Sequence, residues 1–210
     1  MSAENRVLID LTALEKECNL EQRAISFQGK TLYESIWTPE AMLQVVDKCK
    51  DQACCAQIAE IQGHVPSWVL AAIEYAILPT ESYMELGPGG LFKLTSKAFP
   101  ISADAPSCGV QFTINEQNSS IYISVDSDDP AGGMHSFDLN RFDEIVMPPI
   151  PCGKDVFLGG SLVNPVIASA ALSCAPSARA VYVRFHEEPN YYCVASNTED
   201  VSVGDAVAAH

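Results

Sequence analysis

The sequence predicts an α/β protein built from two tandem two-layer sandwiches, each with the element order ββαβαββ, packed together as a pseudo-dimer. The 210 residues are 48% hydrophobic and 19% charged, a composition typical of a globular protein. Strand-like apolar runs alternate with segments of helical periodicity. An internal repeat is also visible, because Pro165 lies over Pro66, 99 residues earlier, and the same shift lays Tyr182 over Tyr83.

The first half begins with a predicted hairpin around Gln28, Gly29 and Lys30. Thr38 is the expected N-cap of a helix, since Pro39 suits the first helical position. A short strand, a second helix that stops before a proline, and two closing strands then follow. These elements are expected at 24–27 with 31–37 for the hairpin, from 39 for the helix, and at 56–61, 66–77, 83–86 and 91–95.

The second half repeats this order. Its hairpin, helix, strand, helix and closing strands are expected at 111–115 with 121–125, 137–146, 155–158, 162–174, 181–185 and 191–195. The segment 98–109 contains two prolines and small polar residues, which predicts a linker between one repeat at 1–97 and another at 110–210. The first twenty residues have no counterpart, and the strand-like Arg6–Leu11 is expected to add an edge strand or to replace a weak one.

The net charge of the chain limits the kinds of ligand that it can bind. Lys and Arg total 12 against 27 Asp and Glu, a net charge of −15, which excludes a protein that coats duplex nucleic acid but permits a small anion in a local pocket. No apolar run is long enough to span a membrane, and no secretory signal is visible, so a cytoplasmic protein is expected. The eight cysteines are then reduced and mostly fill the core. Cys54 and Cys55 are adjacent, a poor spacing for zinc, and no metal site is predicted.

Two glycine loops, each between a strand and a helix, form the candidate ligand-binding site. Unpaired N–H groups at a helix start attract anions, and glycine lets a ligand approach the backbone. The candidate residues are Gly63, His64, Pro66, Ser67 and Trp68 in the first loop, and Gly159, Gly160, Ser161 and Asn164 in the second. We expect the loops to face each other, and valine at Gly63 or Gly160 to abolish binding with little effect on the fold.

Each candidate also has an ordinary structural explanation. A glycine before a helix serves a turn or close packing, Trp68 covers the core, and Ser161 and Asn164 are common helix-capping residues. Near the closing strands, Arg179 and Arg184 are expected either to contact a phosphate or to be exposed charges on a strand. No nucleophile elbow, Walker loop or zinc-protease motif is present, and catalytic residues stay unassigned.

The loops resemble those of a known family. Gly63, Pro66, Trp68 and Leu70 fit a G-R-x-P-x-W-L loop, with His64 at the arginine position, and residues 148–160, P-P-I-P-C-G-K-D-V-F-L-G-G, fit the approach to the second loop. In these motifs the chain resembles the Csx-three family of CRISPR-associated proteins, small relatives of the CARF domains. The resemblance implies ferredoxin-like or CARF-related sandwiches, here in tandem.

The resemblance also implies a function in type III antiviral defence. Family members bind cyclic oligoadenylate as dimers or higher assemblies and cleave it with a divalent metal such as Mn²⁺, as ring nucleases. Here the implied ligand is cyclic oligoadenylate or another small anionic nucleotide, and the implied partners are a second copy or a CRISPR-associated protein. The alternative is a non-catalytic scaffold subunit of a CRISPR effector system that binds other proteins.

Overall fold

The computed structural model describes residues 5–27, 29–86, 92–104, 108–128, 138–184 and 188–209. Its first sheet has four strands in the order β1-β4-β5-β6. The strands are β1 (Arg6–Asp10), β4 (Ile58–Gln62), β5 (Glu81–Leu86) and β6 (Phe92–Ser96). The first three are parallel and β6 runs antiparallel to β5, so the carboxyl ends of β1 and β4 share one edge.

The second sheet has six strands in the order β12-β11-β10-β9-β8-β7. They are β7 (Val110–Glu116), β8 (Ser120–Ser127), β9 (Asp155–Gly160), β10 (Ala180–Val183), β11 (Asn190–Ser196) and β12 (Ala206–Ala208). The three central strands β8, β9 and β10 are parallel, and the outer strands are antiparallel to their neighbours. Strand β12 was not expected from the sequence.

The described residues form four α-helices: α1 (Leu11–Glu17), α2 (Pro39–Ala53), α3 (Ser67–Ala76) and α4 (Asn164–Cys174). The predicted start of α2 is confirmed, because Thr38 Oγ1 accepts the Ala41 N–H at 3.2 Å and Pro39 is the first helical residue. None of the helices formed by the described residues combines the length and hydropathy that crossing a bilayer requires.

The helices α3 and α4 pack against each other. Helix α3 also contacts β10 and β11, and α4 contacts β9, β10 and β6, so each helix reaches the sheet of the other half. One cluster of buried side chains accordingly runs through both halves, from Ile9 and Met42 to Trp68, Leu158 and Val166. The α/β class is confirmed, and the two sheets share a core through the paired helices.

The first hairpin forms but lies elsewhere than expected. Among the strands of the described residues, β2 (Gln22–Phe27) and β3 (Lys30–Ser35) pair only with each other, as a separate two-stranded sheet. The place beside β4 is taken by β1. The element order predicted along the chain for this half, ββαβαββ, is confirmed. The hairpin lies outside the four-stranded sheet, and the first twenty residues supply the edge strand, as the sequence allowed. In the segment that begins with β1, apolar residues recur at every second position, Val7, Ile9 and Leu11, and Ile9 and Leu11 are buried. Most residues of the hairpin are exposed.

The helix predicted at 137–146 forms only in part. Its described part is a 3₁₀ helix at Leu139–Glu144, and the chain is extended from Ile145. The Asp138 side chain accepts the Asn140 N–H at 3.0 Å, which tightens the first turn. Met147 then pairs with the linker, since its N–H donates to Pro100 O at 2.8 Å. This pairing requires extended backbone where the helix would have continued.

Part of the predicted linker packs against the second half. The Phe99 N–H donates to Ser173 Oγ on α4 at 2.7 Å, and the Phe99 ring lies edge-on to Phe142 with centroids 5.5 Å apart. Phe99 is 3% exposed. Residues 98–104 are therefore held in place, whereas 105–107, like the predicted turn at 87–90 and residues 28, 91, 129, 137 and 185, lie outside the described residues.

Candidate functional site

The first glycine loop is closed by packing. Gly63 has φ +114°, and a Cβ there would lie 2.9 Å from Leu11 Cβ and 3.4 Å from Thr12 N. Only glycine allows this backbone conformation next to the start of α1. Gly63 is therefore explained by close contact between β4 and α1. The expectation that valine at this position would spare the fold is wrong.

The remaining first-loop residues divide between surface and core. His64 is exposed and Pro66 is half-buried, whereas Ser67 and Trp68 are 3% and 0% exposed. The Trp68 ring stacks on Tyr192 of β11, with centroids 4.3 Å apart and an interplanar angle of 26°. Trp68 thus fills the core between the halves, which confirms the interpretation that it covers the core. The face of the ring that contacts Tyr192 is not accessible to a base.

Hydrogen bonds within the protein engage the second loop. Asn164 Nδ2 donates to Val65 O at 2.6 Å, which joins the two loops. Ser161 donates its backbone N–H at 2.9 Å and its hydroxyl at 2.8 Å to Asp126 Oδ1. The loops do meet through Asn164 and Val65. However, a carboxylate of the protein already accepts the Ser161 donors that the sequence assigned to an anion.

Gly160 is fixed by its neighbour on β8. It has φ +149°, and a Cβ would lie 2.0 Å from Val125 O and 2.7 Å from Val125 C. Such contacts with backbone require the paired strands β8 and β9 to separate. The expectation that valine at Gly160 would leave the fold intact is therefore wrong.

Gly159, by contrast, opens a pocket on the outer face of the six-stranded sheet. Ile121, Ile123 and Val125 of β8 are buried against the helices, so the alternating Tyr122 and Ser124 face outward. Next to Ser124 in the register, Gly159 supplies no side chain. The resulting pocket has a volume of about 270 Å³ and is lined by Thr113, Asn115, Tyr122, Ile123, Ser124, Gly159, Gly160, Arg184 and Tyr191.

Aromatic rings form one side of this pocket. Tyr122, Phe157 and Tyr182 stack across three strands, with centroids 4.9 Å and 4.7 Å apart. Tyr191 meets Phe157 edge-on at 5.3 Å. Burial raises the pKa of Tyr182 to about 12, so its hydroxyl stays neutral at physiological pH. The stacked row is a rigid boundary, and Tyr191 and Tyr122 border the open space.

Arg184 brings positive charge to the pocket. Its guanidinium carbon lies 5.2 Å from the centre of the Tyr191 ring, and its backbone N–H donates to Leu158 O at 2.9 Å. Arg179 differs, because its Nε lies 2.8 Å from Asp155 Oδ1 and its Nη2 bonds the other oxygen. Of the two arginines that the sequence singled out, Arg184 faces the pocket and Arg179 holds a carboxylate.

The pocket thus contains only part of the predicted site. Gly159 and Gly160 line it, whereas Gly63, His64, Pro66, Ser67, Trp68, Ser161 and Asn164 do not. Sequence analysis missed Thr113, Asn115, Tyr122, Ser124 and Tyr191. For the four of these residues on β7 and β8, the available signal was the period-two alternation of apolar and other residues, since it places their side chains on the face away from the helices.

No three His, Cys, Asp or Glu side chains in the described part of the chain lie close enough together to hold a metal ion. No family model, curated protein or solved structure matches this chain. The resemblance to the Csx-three family stays a prediction.

Proposed function

We propose that this protein binds a small anionic nucleotide in the pocket over Gly159, and that cyclic oligoadenylate, the ligand that the family resemblance implies, occupies it. One observation carries the proposal: an arginine guanidinium without an ion pair among the described residues lies beside a tyrosine ring, over a backbone floor that lacks a side chain.

Each part of the pocket suits one part of a nucleotide. The guanidinium of Arg184 offers paired donors that match two phosphate oxygens. Tyr191 and Tyr122 provide rings beside which a base can stack. The Thr113 hydroxyl can bond a ribose, and the Ser124 hydroxyl, which donates to Asp126 Oδ2, can still accept a hydrogen bond from one. The volume of about 270 Å³ is below the usual range of roughly 300–1,000 Å³ for ligand pockets. It therefore suits one nucleotide unit of a larger ring.

Charge favours a phosphodiester over a triphosphate. The pocket contains one cationic side chain, and the chain carries a net charge of −15. A ligand with several negative charges per nucleotide is repelled by this field, whereas a phosphodiester brings one charge to one guanidinium. Binding is expected to weaken with added salt, because Arg184 is near the surface.

Calorimetric titration with cyclic tri-, tetra- and hexa-adenylate tests this proposal. We expect Arg184→Gln to weaken binding at least tenfold, since a hydrogen bond to a charged group contributes about 1.5–3 kcal/mol. Gly159→Leu should remove binding by filling the pocket. Arg141→Gln is the matched control, because this exposed arginine pairs with Glu144 and does not line the pocket. Wild-type binding by both pocket variants, or no binding by the wild type, would refute the proposal.

The same ligands incubated with Mn²⁺ test cleavage separately. Linear product from wild-type protein would assign ring-nuclease activity, and binding without product would assign a receptor or sink for the nucleotide.

We also propose that the two halves are tandem copies related by a pseudo-two-fold axis. In both halves a strand, a helix, a parallel strand and an antiparallel strand follow in the same order. The equivalent helices α3 and α4 pack together, and the bonded pair Asn164 and Val65 is separated by 99 residues, the repeat shift itself. These features support a built-in dimer in which β1 replaces the strand equivalent to β8.

Self-association is the second candidate function, in line with a scaffold. Exposed apolar side chains concentrate on the β2–β3 hairpin, where Tyr33, Leu32 and Ile25 are 72%, 45% and 36% exposed. The hairpin carries two cations, Arg23 and Lys30, against one carboxylate, Glu34, in a chain of net charge −15. A second copy is the occupant this charge favours. Light scattering should show that the wild-type protein is a dimer and that Leu32→Glu makes it monomeric. Leu8→Ser, which changes an exposed residue of β1, is the control and should remain dimeric. A monomeric wild-type protein would exclude self-association through the hairpin.

A further inference from the structure

Six of the eight cysteines fall into two chemical groups. Burial raises the pKa of Cys49, Cys174 and Cys193 to about 12, so these thiols are inert fillers of the core. Cys54, Cys55 and Cys152 are exposed. Cys54 and Cys55 are neighbours at the end of α2, and the two sulfur atoms lie 3.6 Å apart. Their thiols therefore point to the same side of the backbone.

We propose that Cys54 and Cys55 form a chelating dithiol for one soft, thiophilic centre that takes two sulfur ligands, such as a trivalent organoarsenical. Thiolate sulfur is a soft ligand and selects soft centres over Mg²⁺ or Ca²⁺. Two sulfurs already in contact lose little freedom when one atom bridges them, and this preorganisation favours chelation over binding to a single thiol.

The backbone around the pair is held in place. Cys54 is the C-cap of α2, with φ −52° and ψ −26°. Asn5 Nδ2 donates to Cys55 O at 2.7 Å, and the Gln57 N–H donates to Asn5 O at 2.8 Å. These bonds fasten the turn after α2 to the chain just before β1. The backbone that carries the two thiols is therefore set by the fold.

Local charge at the end of α2 affects the protonation of Cys54. The carbonyl end of α2 carries partial negative charge, and the Asp51 carboxylate acts on Cys54 from the preceding turn. The hydrogen bond to Cys55, followed by the charge of the Cys55 thiolate, raises the pKa of Cys54, and Asp51 adds a smaller effect in the same direction. The raised pKa favours the thiol form of Cys54, and a soft centre displaces its proton as it binds.

Zinc suits this pair poorly. Structural zinc takes four ligands in a tetrahedron. In the ranges that the structure describes, no third Cys, His, Asp or Glu joins the pair to make a metal-holding group. A centre satisfied by two sulfurs fits the arrangement better.

The reaction with an arylarsenic(III) oxide balances without a redox step. Two As–S bonds form and the bonds from arsenic to its oxide oxygen break. The two thiol protons leave with that oxygen as water, and arsenic stays in the trivalent state throughout.

Phenylarsine oxide is the probe, with the full chain analysed by native mass spectrometry after gel filtration in excess glutathione. We expect one adduct per chain that survives the monothiol and is removed by a dithiol such as 2,3-dimercaptopropanol. Cys54→Ser and Cys55→Ser should each lower retention at least tenfold. Cys152→Ser is the matched control, because it removes an exposed cysteine that is not adjacent to another and should retain the adduct in full.

Three outcomes would overturn the proposal. These are the absence of a glutathione-resistant adduct on wild-type protein, full retention by either Cys54→Ser or Cys55→Ser, and loss of the adduct in Cys152→Ser. Thermal melting of each variant shows whether the fold is kept, and both exposed positions are expected to melt as wild type does. Binding of nucleotide at Gly159 plays no part in this experiment.

Discussion

Neighbouring glycines on β9 should differ sharply in their tolerance of a methyl group. In Gly160→Ala, the new Cβ would lie 2.0 Å from Val125 O and 2.8 Å from Val125 N. Forced overpacking costs about 1–3 kcal/mol, and alanine at φ +149° adds backbone strain of about 1–3 kcal/mol. We expect Gly160→Ala to lower the free energy of unfolding by about 2–6 kcal/mol, a large share of the ~5–15 kcal/mol of a typical domain.

Gly159→Ala is the internal control. The nearest atom to a Cβ at Gly159 is Tyr191 Oη at 4.0 Å, an ordinary contact. Alanine there should change stability by less than ~1 kcal/mol, because it also reduces the freedom of the unfolded chain. Urea denaturation followed by far-UV circular dichroism measures both variants, and comparable slopes would show that the unfolded state is unchanged. Equal stabilities for the two variants would refute the close approach of β8 to Gly160.

Three further outcomes are expected. Asp126→Ala should destabilise by about 1–3 kcal/mol in urea, because the Ser161 N–H and hydroxyl lose their acceptor; no loss would contradict that bonding. Burial raises the pKa of Glu15, so the folded state binds more protons than the unfolded state above pH 4.5 and stability falls as pH rises towards the raised pKa. Glu15→Gln should remove this fall in melting temperature; an unchanged slope would count against it. A thiol reagent should modify the exposed Cys54, Cys55 and Cys152 in native protein and leave Cys49, Cys174 and Cys193 unreacted until denaturant is added; prompt reaction of any buried thiol would contradict the packing.

The sequence predicted correctly the helix ends that are determined by residues at those ends. Thr38 and Pro39 fix the start of α2, and the stretch before Pro79 ends α3 near the predicted residue. The position of the first hairpin depends on which strand pairs with β4, and the residues of the hairpin alone do not determine that. Arg6–Asp10 is a better partner for β4, since Ile9 points into the core and is fully buried. The sequence left that possibility open without deciding it.

The choice between Gly159 and Gly160 could not have been made from the sequence. Asp155–Gly160 is a central strand with Val156 and Leu158 buried on one face and Phe157 buried on the other, so it reads as one apolar run without alternation. Only its register with β8 assigns each glycine to a face. That register sets Gly160 against Val125 and leaves Gly159 beside Ser124, where the missing side chain opens the pocket. The side-chain direction of Arg184 also depends on its position along the strand. If the arginine were one residue earlier or later in an extended chain, its side chain would face the helices instead of the space over Gly159.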